Sequence, residues 1–200
     1  MRNFLRRSAV PFAVLGVTSA MLADSAAAAE QFRIDPNHTF VYFAVVHTGV
    51  SSVRGRFSVR SGSASLDAAK QEGTVSVEID ARSLDTGVKQ LDGILTGETF
   101  FDTGKFRTAT FSGHAVRFAD GVPQEFEGDL TVKGVTRPVR LTAERFVCQQ
   151  VAILMIKHYV CGGDLTATVK RSEFGVDKYL SMVSDEVRLT ISVEAIRAGQ

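Results

Sequence analysis

Apolar residues recur at every second position through most of this chain, and that period constrains the fold more than any other feature. In "TVSVEID" (74–80), Val75, Val77 and Ile79 alternate with Thr74, Ser76, Glu78 and Asp80. "EFEGDLTVK" (125–133) sets Phe126, Leu130 and Val132 against Glu125, Glu127, Asp129 and Lys133. "EVRLTISVEA" (186–195) sets Val187, Leu189, Ile191 and Val193 against Arg188, Thr190, Ser192 and Glu194. A strand sends successive side chains to opposite faces, so each segment has one dry face and one wet face. That is the pattern of an antiparallel sheet covered on one side.

Gly, Asp, Ser and Pro bound the runs and mark about eight strands, centred near 32–47, 53–60, 74–81, 107–117, 125–133, 137–146, 163–171 and 186–196. Three connections are long: 82–106, 147–162 and 172–185. In the first of these, Val88, Leu91, Ile94 and Leu95 have helical spacing, which predicts a short helix in the third connection. A meander of this count buries its dry faces by closing into an up-and-down barrel or by folding into a two-sheet sandwich. Inward residues of mixed size favour the barrel, an all-β, lipocalin-like antiparallel fold. Barrels of this strand count can hold one small ligand.

Residues 1–29 read as a secretory signal. Arg2, Arg6 and Arg7 precede the apolar "AVPFAVLGVTSAMLA" (9–23), and "SAAAA" (25–29) offers a small-residue cleavage site after Ala29. The expectation is therefore a single domain over 30–200, exported to a bacterial periplasm. Losing the leader removes three arginines and one aspartate and leaves a net charge of −1. Such a balance argues against nucleic acid as a partner. Cys148 and Cys161 are an even pair in an exported chain and read as a disulfide.

"HTFVYFAVVHTGV" (38–50) raises the question of a metal, because His38 and His47 bracket an apolar run. An odd separation puts the two rings on opposite faces, roughly 30 Å apart along an unbroken strand. There is no H-E-x-x-H and no C-x-x-C, so no metal site is expected. G-x-S-x-G, G-x-G-x-x-G and the P-loop are also absent, and no catalytic constellation stands out.

His47 instead shares the parity of Val41, Phe43 and Val45. The other face of that strand, Phe40, Tyr42, Ala44 and Val46, is apolar too. It calls for cover from the predicted helix or from a second subunit in a homodimer. Inward parity elsewhere ends in cations: Val169 leads to Arg171, Ala143 to Arg145, and Ala115 to Arg117. In an up-and-down order whose first strand closes on the eighth, His47 and Arg171 share one mouth, and Arg117 and Arg145 the other. Two readings of Arg171 stay open. One is a polar collar that grips a lipid headgroup. The other is an internal ion pair with Asp35, Asp177 or Glu173. The apolar "VAILMI" (151–156) either makes transient contact with a membrane or partner, or folds back over the barrel end.

Several blocks in order, "IDPNHTFVYFAVVHTGVSSVRGRF" (34–57), "TFFDTGKFRTATF" (99–111), "GDLTVKGVTRPVRL" (128–141), "KRSEFGV" (170–176) and "SDEVRL" (184–189), carry a family likeness. From about Phe32 to Ala195 the chain resembles the YceI-like family of periplasmic polyisoprenoid-binding proteins. The resemblance implies an eight-stranded lipocalin-like barrel around a long isoprenoid chain such as a quinone tail, without catalysis. Val41, Phe43, Val45 and His47 match alternating positions of the family's first block. The chain departs from the pattern at Arg107, where a Pro is usual after the "FFD" block. The Cys148–Cys161 segment lies outside that pattern.

The expected function is a periplasmic, non-enzymatic carrier of an isoprenoid lipid, either a polyisoprenoid or an isoprenoid quinone, needing no cofactor beyond that ligand. Val41, Phe43, Val45, Phe57, Val77 and Ile79 are expected in the cavity wall from the first half. Phe111, Leu130, Leu141, Leu189 and Ile191 join them from the second, with His47 and Arg171 at the headgroup. Two rivals remain. An enzyme acting on such a lipid would use His47 as general base. A ligand-free interaction module would have a filled interior.

Overall fold

The structure, a computed structural model, describes residues 29–199, so the proposed leader before Ala29 lies outside the described residues. Nine strands follow in order: β1 (Glu30–Ile34), β2 (Phe40–His47), β3 (Ser51–Asp67), β4 (Glu72–Asp80), β5 (Thr108–Ala119), β6 (Val122–Val132), β7 (Val135–Ile153), β8 (Ile156–Lys170) and β9 (Glu186–Arg197). Each pairs antiparallel with its neighbours, and the β3–β4 and β2–β9 pairings close the ring. β1 and β2 occupy one position between β3 and β9. β1 pairs with β3 at residues 63–66, and β2 pairs with it at 51–58. Nine strands thus fill eight places in an up-and-down barrel, as the alternation predicts.

The single strand predicted over 32–47 is interrupted, for a local reason. Pro36 has no N–H to give to a ladder. The Asn37 N–H donates to Asp35 Oδ1 at 2.9 Å, a side chain completing the turn in place of backbone. Thr39, only 1% exposed, then re-enters the wall. Its hydroxyl accepts from the Glu194 N–H at 3.2 Å.

The 147–162 segment is not a connection. β7 and β8 run on as one long hairpin, in register from Thr142↔Thr166 to Ile153↔Ile156. Its two-residue tip is Leu154–Met155, with φ of 48° and 68°. Such tips need left-handed backbone, which Asn-Gly usually supplies; the β6–β7 tip, Lys133–Gly134, has glycine at φ 76°. Leu-Met carries no turn signal, so the sequence reads as a loop. Leu154 and Met155 are 92% and 99% exposed, which corrects the expectation that this stretch folds back over the barrel. β7 pairs with β6 no further than Thr142, so the hairpin projects past the wall.

Two bulges correct another expectation. The register shifts between Ala115 and Arg117 in β5 and between Ala143 and Arg145 in β7. One extra residue reverses the parity of everything after it. Arg145 is therefore exposed, and Phe146 turns inward to meet Phe126 at 6.0 Å. Arg117 faces solvent and binds Glu125 at 2.7 Å. Gly163 sits against the β7 bulge, where a Cβ would collide with the Arg145 carbonyl. Arg117 and Arg145 therefore do not point into the β1-end mouth that their parity predicts.

The predicted helix is present as α1 (Lys89–Thr96), after a 3-10 turn at Ala81–Ser83. Its Leu91, Ile94 and Leu95 face the barrel interior rather than the outer face of β2. On that outer face the Arg56 guanidinium lies 5.2 Å from the Phe40 ring centroid, and Tyr42 and Val46 stay exposed.

The packed core lies toward the end of the barrel that carries β1. One cluster joins Phe32, Ile34, Val59, Ile79, Cys161 and Ala195; a second joins Ala115, Phe126 and Leu165. The Cys148–Cys161 disulfide ties directly opposed residues of β7 and β8 within it. Closing so short a loop stabilises the fold by roughly 3 kcal/mol on the chain-entropy account.

Candidate functional site

Within the wall lie two chambers. The upper has a cavity volume of about 570 Å³ and opens where β2, β6 and β8 end. The lower, about 130 Å³, runs down to Phe32 and Ile34 of β1. Val41, Ile79, Leu130 and Leu189 line both, so the two are parts of one elongated hollow. It is wide at the mouth and narrow at the floor.

All thirteen side chains singled out in the sequence border this hollow. Besides the four shared ones, Val77, Phe111, Leu141 and Ile191 face the lower chamber. Phe43, Val45, Phe57, His47 and Arg171 face the upper. Strict alternation holds through β2, so Val41, Phe43, Val45 and His47 climb one side of the cavity toward the mouth. Phe43 and Phe57 meet at 5.6 Å across the β2–β3 pair.

The mouth also holds residues that periodicity could not find. The 97–107 and 171–185 connections contribute Phe100, Phe101, Phe106, Phe174, Val176 and Tyr179. Phe101 meets Phe57 edge-on at 5.3 Å, and Phe100 stacks with Tyr179 at 6.1 Å, joining the two connections over the opening. The available signal was composition: three phenylalanines, Phe100, Phe101 and Phe106, fall within the otherwise polar 97–107 connection, and loops rarely carry such rings without covering something.

Arg171 does not form the internal ion pair with Asp35, Asp177 or Glu173 that is one of its two sequence readings. It is 8% exposed, and its guanidinium is taken up by backbone. Nε donates to the Ser184 carbonyl at 2.9 Å, Nη1 to those of Val176 and Lys178 at 2.7 and 2.8 Å, and Nη2 to that of Val183 at 2.9 Å. Burial pushes its pKa down, against the pull of nearby Asp185 and Asp177. Four carbonyls from one connection converge on one planar fork, a geometry lysine cannot copy. Arg171 therefore anchors the 176–184 connection beside the mouth. Asp185 assists by accepting from the Ser172 N–H at 2.9 Å and hydroxyl at 2.8 Å. Lys133 reaches the same rim, its Nζ 3.3 Å from the Gly175 carbonyl.

Outside the cavity, at the β1 end, Asp35, His38 and Glu194 bring ligand-type atoms within 4.8 Å of one another. His38 is well exposed, and its Nδ1 is already held by Asp35 at 2.7 Å. The Asp35 carboxyl stays below its ordinary pKa although burial opposes this, because it bonds His38 and the Asn37 N–H. This cluster closes a turn and does not touch the hollow.

A closed antiparallel barrel, apolar inside and open at one end, defines a hollow barrel of lipocalin-like build. The chain belongs to the YceI-like family: the YceI-like domain matches residues 32–195. It is 35% identical over 188 residues to a UPF0312 protein of Shewanella putrefaciens, spanning 92% of this chain and 96% of that one. A UPF0312 protein of Pseudomonas aeruginosa is 33% identical over 195 residues, with the same 92% and 96% coverage. Among solved structures, BcnA of Burkholderia cenocepacia superposes with a TM-score of 0.61 at 26% identity, over 80% of this chain and 98% of that one. A domain from Saccharophagus degradans, described as polyisoprenoid-binding, shares the fold at 14% identity and a TM-score of 0.53, covering 83% and 98%.

Proposed function

We propose that this protein is a periplasmic, non-catalytic carrier of an isoprenoid lipid, a polyisoprenoid or an isoprenoid quinone. The observation that carries the reading is the elongated apolar hollow. A compact ligand needs one chamber; two chambers in line suit a thread. Family membership and the polyisoprenoid-binding neighbour support it. The tail occupies the lower chamber and passes the shared wall. The polar head stays at the rim with His47 and Lys133. Against water, each buried methylene contributes about 0.8 kcal/mol, so the tail supplies most of the affinity. Against a membrane the gain nearly vanishes, which suits a protein that must also give its cargo up. The basic, apolar leader supports export.

Organic extraction and mass spectrometry of protein purified from its native host tests this. An isoprenoid recovered in near-equal amount to protein is expected; an interior that never yields lipid would leave a ligand-free module. Chemical change of the bound lipid, lost in His47→Ala while binding survives, would establish the enzyme instead.

A further inference from the structure

The upper mouth carries exposed apolar side chains from three separate places along part of its rim. Val50 belongs to the β2–β3 turn, Val88 to the start of α1, and Leu180 to the 171–185 connection; they are 84%, 56% and 45% exposed. All three lie at the same end, because antiparallel order puts the close of β2, β4 and β8 together. Backbone contacts hold parts of the rim in place. The Thr48 N–H donates to the Met182 carbonyl at 2.6 Å, and the Ser184 N–H to that of Val46 at 2.9 Å. Ile94, Tyr179 and Met182 are both exposed at the rim and part of the cavity wall. Apolar side chains at Ile94, Tyr179 and Met182 therefore connect the inside of the barrel to its outer lip.

We propose that this lip docks onto the surface of a lipid bilayer, so that the ligand passes between membrane and cavity without crossing water. The proposal rests on the isoprenoid reading above. Three features favour a bilayer over a protein partner. The apolar residues stand on three separate connections beside an opening rather than along a groove, and so match a plane rather than a helix or strand. The lip is continuous with a cavity whose cargo is itself a membrane lipid. Exposed charges on the same connections are of both signs, Lys89, Lys105, Arg107 and Lys178 against Asp85, Glu98, Glu173 and Asp177, so charge does not single out an oppositely charged partner. Docking then works by shallow insertion of apolar side chains and resists salt. The exposed β7–β8 tip, Leu154–Met155, is at the opposite end and plays no part.

The test is flotation of the purified protein with phosphatidylethanolamine–phosphatidylglycerol vesicles, alongside titration with a long-tailed isoprenoid quinone in detergent. The wild type floats, in low and in molar salt. The combined Val50→Ser, Val88→Ser, Leu180→Ser variant floats about tenfold less, as expected for removing three inserted apolar groups. It still binds quinone in detergent, because none of the three lines the cavity. Leu154→Ser with Met155→Ser floats like the wild type. Docking by the lip is overturned if the wild type stays off the vesicles, if the triple variant floats normally, if molar salt abolishes flotation, or if the tip variant alone loses it. Rim-dependent flotation without any quinone binding would uphold docking and overturn the carrier reading instead.

Discussion

The two ends of this barrel are built from the same alternating pattern and come out opposite. At the β1 end the interior narrows to the small lower chamber: Phe32 and Ile34 are buried, Phe146 is turned inward by a bulge, and a disulfide ties the wall. At the other end the strands surround a larger chamber roofed by two connections. Alternation decides only which face is dry. Whether that face is filled or left hollow depends on what is delivered into it. One end receives the extra strand β1 and an inverted Phe; the other receives loops held at a distance by Arg171. Stability is concentrated at the floor and access at the mouth, a division common where a binding segment must move.

The neck between the chambers offers the largest test of that contrast. Leu130 lines both, and Leu130→Trp would fill the passage while staying apolar. If the tail threads into the floor, affinity for a long-tailed isoprenoid falls about a hundredfold or more, the loss of roughly four methylenes or about 3 kcal/mol. A short-tailed analogue is barely affected. Fluorescence-quenching titration of both ligands reads the difference. Equal losses for the two would mean that the upper chamber alone binds the ligand, and the narrow end is only core.

A paired deletion comes next. Arg171→Met removes the fork that four loop carbonyls share, a loss on the order of 2–3 kcal/mol for unpaired buried groups. Most of that loss is expected locally, as faster amide exchange through 176–184 with little change at the floor. Cys148→Ser with Cys161→Ser costs roughly 3 kcal/mol, read as a lower urea midpoint, and leaves exchange at the mouth untouched. If either variant loosens both ends equally, the barrel opens as one unit and the division is wrong.

Much of this was legible in the sequence because period-two alternation survives in β2, β4, β6 and β9, where the inward residues follow from parity alone. Parity failed where one residue was added. The bulges at Arg117 and Arg145 leave no mark in composition, so two outward arginines read as inward. The Leu154–Met155 tip failed for a related reason: apolar residues hold a left-handed turn that glycine or asparagine usually announces. Arg171 was found as a buried cation at the mouth, but its partners are carbonyls, which every residue carries and no sequence pattern distinguishes. The aromatic roof comes from connections, where no period exists to place a side chain.

The smallest effect concerns the floor and depends on pH. His38 has its pKa raised, first by its hydrogen bond to Asp35 and then by the charges of Glu194 and Asp35. A raised folded-state value means the imidazolium is better held in the folded chain than in the unfolded one. The stabilisation is fully present below the ordinary histidine value of 6.5 and is lost as pH rises through the raised value. The ring is 63% exposed, so solvent screens most of it. NMR titration should show His38 protonating at higher pH than an ordinary histidine, and Asp35→Asn should return it toward that value. Amide exchange in the 35–39 turn should quicken slightly with deprotonation, beyond the usual base-catalysed rise, while the 176–184 connection shows only that rise. A His38 that titrates at its ordinary value would mean that the turn is held by Pro36 and the Asn37 N–H, with no charge contribution from the pair.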